Sequence, residues 1–125
     1  MQKLTHKLSV LLMVMAGAMG SAHAGEVVLY SSNNVEVVNN VIDAFTKKHP
    51  DISVSVVRAG SGALMQRIKA EAQNPLGDIF WSGGFSTLSQ YAPYFESYQT
   101  TEAQNIPAAF HGPDQLWLGT NTHVS

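Results

Sequence analysis

Apolar and polar positions along this 125-residue chain switch period three times, each time in the same order. Residues 27–30 (Val-Val-Leu-Tyr) are apolar on both alternating faces, the pattern of a strand buried between two layers. They run into Ser31-Ser32-Asn33-Asn34, after which Val35, Val38, Val41, Ile42 and Phe45 recur at helical spacing. Asn33 or Asn34 is suited to cap that helix, and Glu36, three residues after Asn33, suggests a capping box. Lys47, Lys48 and His49 favour the negative end of the helix, and Pro50 stops it. Ile52, Val54 and Val56 then alternate with Ser53 and Ser55, predicting a second strand. Gly60-Ser61-Gly62 opens a second helix, with Leu64, Ile68 and Ala72 on one side and Arg67 and Glu71 on the other; Asn74-Pro75 ends it. A third strand, Ile79-Phe80-Trp81, leads through Ser82-Gly83-Gly84 into a short helix over residues 86–91, stopped near Pro93. Residues 94–113 are rich in turn signals, and residues 116–120 read as a last strand.

This βαβαβα order predicts an α/β fold: a parallel sheet covered on both faces by helices and joined by right-handed crossovers. The turns leaving such a sheet gather at the carboxyl ends of the strands, where ligands bind. Here all three turns are built of small polar residues, giving a candidate rim of Ser31, Ser32, Asn33, Asn34, Ser61, Gly62, Gly83 and Gly84. Hydroxyls and unpaired N–H groups at helix starts suit the oxygens of a phosphate or phosphonate. Any one of these residues is also an ordinary cap or turn residue; it is their convergence on one edge that would make a site. Ser61-Gly62 leads the list, followed by Gly83-Gly84. Tyr30 and Trp81, at strand ends, read as core.

The first 24 residues stand apart from this rhythm. A basic start (Lys3, His6, Lys7), an apolar run over residues 8–19 and Ala22-His23-Ala24 predict a secretory signal peptide cleaved between Ala24 and Gly25. The apolar run is short for a membrane span. After residue 24 the chain carries five Lys and Arg against nine Asp and Glu, a balance of −4. That argues against nucleic acid or an anionic membrane surface as partner. The chain has no cysteine, which removes disulfides, thiolate metal sites and cysteine nucleophiles. Residues 25–125 suffice for one small domain.

Several segments carry a family resemblance: Val28-Leu29-Tyr30-Ser31-Ser32, Val41-Ile42-Asp43-Ala44-Phe45-Thr46-Lys47-Lys48-His49-Pro50, Ser61-Gly62, Arg67-Ile68-Lys69-Ala70-Glu71, Asn74-Pro75-Leu76-Gly77-Asp78-Ile79-Phe80-Trp81 and Leu116-Trp117-Leu118-Gly119-Thr120. In this order they resemble the bacterial extracellular solute-binding protein family 1, in the branch holding ferric-ion, sugar-phosphate and 2-aminoethylphosphonate binding proteins. The resemblance implies a type II periplasmic binding protein: a periplasmic receptor whose two α/β lobes close on a solute and dock on an ABC permease. It implies that residues 25–125 form the first, three-layer lobe, with the second lobe absent and the chain stopping near the hinge. In the ferric branch a histidine follows the first strand and a carboxylate the third; Asn34 and Gly83 stand at those places, which disfavours iron. With iron disfavoured, the hydroxyls and N–H groups of the rim make a small organic anion, a sugar phosphate or phosphonate, the expected solute, without a cofactor. A ferric-ion receptor and a truncated product without transport function are the alternatives.

An enzyme is not expected. No Gly-x-Ser-x-Gly elbow is present, and Asp78 precedes a strand, at the edge away from the turns, so it reads as a turn or capping residue. His49 reads as a helix-end residue and His111 as a loop residue rather than metal ligands.

Overall fold

The computed structural model describes residues 25–120; the expected signal peptide lies outside the described residues. Strand β1 (Gly25–Ser31) is followed by α1 (Val35–Lys48), β2 (Ile52–Arg58), α2 (Ser61–Ala70), β3 (Ile79–Trp81) and α3 (Phe85–Gln90). Four short 3₁₀ turns follow among the described residues, at Ala92–Tyr94, Thr101–Asn105, Ala108–Phe110 and Pro113–Gln115. The strands form one parallel sheet in the order β2-β1-β3. The chain steps from β1 outward to β2, then back across β1 to β3. With right-handed crossovers, that reversal sets α1 and α2 on opposite faces. Burial along β1 agrees: Leu29, Tyr30 and Ser31 point alternately to the two faces, and all three are buried. Val38 of α1, Leu64 and Met65 of α2, and Leu88 of α3 complete the core. The α/β reading of the sequence is thus the observed fold.

Local chemistry sets the element ends. Asn34 caps α1, its Oδ1 accepting from the Glu36 N–H at 2.8 Å. Glu36 therefore sits two residues after the cap, and the expected capping box from Asn33 does not form, because Asn33 is drawn to the end of β3 instead. Lys47 and Lys48 occupy the last turn of α1, and the His49 N–H closes it on the Phe45 carbonyl at 2.9 Å. Helix α2 stops at Ala70, short of Asn74-Pro75. Glu71 stands at its C-cap, the carboxylate held by the Tyr30 hydroxyl and by Arg67, both at 2.7 Å, while the chain tightens into a turn. The Arg67 guanidinium also lies over the Tyr30 ring, 5.1 Å from its centre.

This cluster perturbs its members. Burial, with help from Glu71, raises the Tyr30 phenol above its ordinary value. The Glu71 carboxyl is lowered, chiefly by the hydrogen bond from Tyr30 and further by Arg67. Gly77 passes so close to Tyr30 that a Cβ there would lie 3.0 Å from ring carbons, so the approach requires glycine. Beside it Asp78 ties β3 to β1: its Oδ2 accepts from the Val28 N–H at 2.8 Å, and its own N–H donates to the Val28 carbonyl at 2.9 Å. Asp78 is the turn residue that its place before the strand suggested.

One expected element is corrected. Residues 116–120 do not add a strand to the sheet. They fold back on residues 110–112, with Gly112 N–H donating to Trp117 O, Gly119 N–H donating to Phe110 O, and a single antiparallel bridge between His111 and Leu118. The reversal at Pro113–Gln115, with positive φ at Asp114 and Gln115, claims the backbone groups that a sheet strand would have used.

Candidate functional site

Sheet register builds the site. Ser31 stands opposite Arg58 on one side and Trp81 on the other. The three strands therefore end level, and the turns that follow leave from one rim. Ser32 from the first turn, Ser61 at the start of α2 and Ser82 from the third turn meet there as a triangle of hydroxyls. Ser32 Oγ lies 2.9 Å from Ser61 Oγ, Ser61 Oγ lies 2.7 Å from Ser82 Oγ, and Ser32 and Ser82 are hydrogen-bonded as well. Each hydroxyl has one proton to donate and two lone pairs, so the three can satisfy one another around the ring. Each can also rotate its proton outward to a solute oxygen, exchanging a neutral hydrogen bond for a charge-assisted one.

Ser31 and Asn33 hold this triangle in place. Ser31 is fully buried; its Oγ donates to the Trp81 carbonyl at 2.8 Å and accepts from the Asn33 N–H at 3.2 Å. Asn33 Nδ2 donates to the same carbonyl at 2.9 Å. Two side chains of the first turn are thus clamped on the end of β3, which brings Ser32 against Ser82. Asn34 is engaged as the α1 cap.

At the start of α2, Gly60 supplies no side-chain cap, so the first-turn N–H groups meet no side-chain acceptor, and they carry the positive end of the helix dipole. Above Gly62 the space is open: a Cβ there would meet nothing within 4 Å. Gly83 has φ +75°, the left-handed region that glycine enters freely, and lets the third turn double back; Gly84 caps α3, also in open space.

Beside the triangle runs an open groove of about 310 Å³, lined by Ser31, Ser32, Asn33, Val35, Arg58 and Gly60, with Ala59. Arg58 Nη2 donates to Asn39 Oδ1 at 3.1 Å. Sequence reasoning did not place Ser82 or Arg58 among the rim residues. The signal for both was positional: Ser82 is the first residue after its strand, as Ser32 is after the first, and Arg58 closes the second strand. A second hollow, of about 320 Å³, is lined by Tyr98, Gln104, His111 and Trp117 in the turn-rich segment.

The positions that would matter for a metal hold other roles. Asn34 is a cap, Gly83 has no side chain, His49 packs its ring on Phe45 at 4.8 Å, and His111 Nε2 faces the Ile106 carbonyl at 2.8 Å. Among the described residues, no group of three or more His, Cys, Asp or Glu is arranged to hold a metal ion.

Comparison with known proteins gives this arrangement a context. Residues 31–93 match the family model for the bacterial extracellular solute-binding protein. Iron uptake protein A2 of Synechocystis is 28% identical over 102 residues, covering 79% of this chain and 28% of the relative. Among solved structures, the Trichodesmium protein IdiA (FutA) in complex with iron and citrate superposes with a TM-score of 0.69 at 28% identity, covering 76% of this chain and 31% of the other. The periplasmic binding protein AfuA of Actinobacillus pleuropneumoniae, with fructose-6-phosphate bound, gives 0.62 at 29% identity, over 70% of this chain and 28% of the other. The chain spans about 28% of the length of the curated relatives it matches.

Proposed function

The chain belongs to the bacterial extracellular solute-binding protein family, and from that premise we propose that it forms part of a periplasmic receptor for a small organic anion, a sugar phosphate or phosphonate, which hands its solute to an ABC permease in the inner membrane. One observation carries the reading: three hydroxyls from three separate turns converge at the carboxyl edge of a parallel sheet, beside the uncapped start of α2. Ser32, Ser61 and Ser82 donate to the solute's oxygens, and Gly62 lets those oxygens approach the backbone N–H groups of α2. Ser31, Asn33 and Asn34 position the first turn; Gly83 and Gly84 give the third turn its shape. The role is binding rather than catalysis, in keeping with the transport proteins to which the chain is similar.

A second reading, ferric iron, is favoured by the names of the iron uptake relative and the iron–citrate complex. The donors at the rim are hydroxyls and amide N–H groups, a set that suits an anion better than a trivalent cation. Thermal melting of the 125-residue chain separates the two. Glycerol 3-phosphate at 100 times its Kd stabilises by about 2.7 kcal/mol through mass action, and the melting temperature rises. A rise with ferric citrate and none with any phosphate ester or phosphonate would overturn the anion reading in favour of iron.

A further inference from the structure

Arg58 has an unusual combination of place and partners. It ends β2 in register with Ser31, lines the groove next to Ser32, and is exposed. Its Nη2 rests on the neutral Asn39 amide; among the described residues no carboxylate pairs with it, and none lines the groove. A guanidinium has five N–H donors, so most of its hydrogen-bonding capacity faces solvent at the groove. In a chain with more acidic than basic residues, an unpaired cation beside the rim sets the local field.

We propose that Arg58 and the groove beside it form a second anion subsite, so that the receptor takes solutes bearing two anionic groups, a phosphoryl and a carboxylate or second phosphoryl. The proposal rests on the anion reading above and deepens it. The phosphoryl group occupies the Ser32–Ser61–Ser82 triangle, and the second anion meets the guanidinium in a bidentate pair. Adjacent strands stand about 4.8 Å apart, so the two anions lie close together on a short skeleton. Asn39 keeps the guanidinium from folding away and takes no charge from it. The same cation repels an ammonium group, which turns away aminoalkylphosphonates.

Calorimetric titration of the full 125-residue chain tests this with three probes: 3-phosphoglycerate, glycerol 3-phosphate and 2-aminoethylphosphonate. The wild-type chain is expected to bind them in that order of falling affinity. Arg58→Gln should weaken 3-phosphoglycerate about tenfold, change glycerol 3-phosphate less than about twofold, and abolish the discrimination against 2-aminoethylphosphonate. Because Arg58 is exposed, its melting curve should stay that of the wild type. If the variant weakens all three probes equally, or leaves the ratios of their affinities unchanged, the subsite is refuted. Should the wild type bind glycerol 3-phosphate with no preference for the carboxylate, the subsite falls while the anion receptor stands. If none of the probes binds, both fall.

Discussion

Replacing Ser61 with alanine removes one vertex of the hydroxyl triangle and leaves Ser32 and Ser82 in contact with each other. A hydroxyl donating to an anionic oxygen contributes about 1.5–3 kcal/mol, so affinity for glycerol 3-phosphate should fall about ten- to a hundredfold. Stability should respond differently. Ser61 is only partly buried and opens α2. In the absence of solute its hydroxyl exchanges neutral hydrogen bonds, worth about 1 kcal/mol net, and alanine returns part of this through its better helix propensity. The melting temperature should therefore move by less than about 5 °C, given about 4–8 °C per kcal/mol for a domain of this size. Calorimetric titration and thermal melting on one preparation give both numbers. An affinity change under about threefold would refute the role of the triangle. A melting temperature falling by 10 °C or more would make Ser61 a structural residue instead (on the scale just cited).

Other perturbations separate binding from architecture. Gly62→Leu adds a side chain in open space at the helix start, so stability should hold or rise by up to about 1 kcal/mol while the anion's approach is blocked; equal losses in titration and melting would contradict this. Gly77→Ala pushes a Cβ to 3.0 Å from the ring of Tyr30, which is 1% exposed and hydrogen-bonded in place. The buried ring has to shift to make room, and urea unfolding should show a loss of about 1–3 kcal/mol with the slope unchanged. Glu71→Gln should lower the melting temperature at pH 7. The native carboxyl is held below its unfolded value, so its contribution is present above the unfolded value, about 4.3, and is lost as pH falls through the lowered native one. The gap between wild type and variant should thus narrow as pH falls below about 4.3 and through the lowered native value, and a gap that widens on acidification would show the assignment to be wrong.

The three strand–turn–helix units were legible because strand alternation, helical spacing and turn residues agreed in each of them, and β1, apolar on both faces, proved to be the central strand. Where local signals competed with long-range contacts, the pattern was insufficient. Pro75 looked like the stop for α2, but the helix ends at Ala70, and the next residue, Glu71, is held by a tyrosine 41 positions away. The alternating tail over residues 116–120 found its partner in residues 110–112, through a reversal whose positive φ values fall on aspartate and glutamine rather than glycine. At the rim, residue types marked the turns that the register brings to one edge, but not which side chains each turn keeps outward. Ser31 and Asn33 are turned into the structure by the Trp81 carbonyl, whereas Ser82, alike in type, faces the triangle. Arg58 could be singled out only once the register had set it beside Ser31.

The members of the hydroxyl triangle are separated by 29, 21 and 50 positions along the chain. No single hairpin, helix or strand pair contains all of it. On the proposed reading, a growing polypeptide would hold no solute at this rim before residue 82 has emerged and β3 has docked against β1. Solute capture would then be a checkpoint on the assembled topology, and a bound anion would report that β3 has found its place.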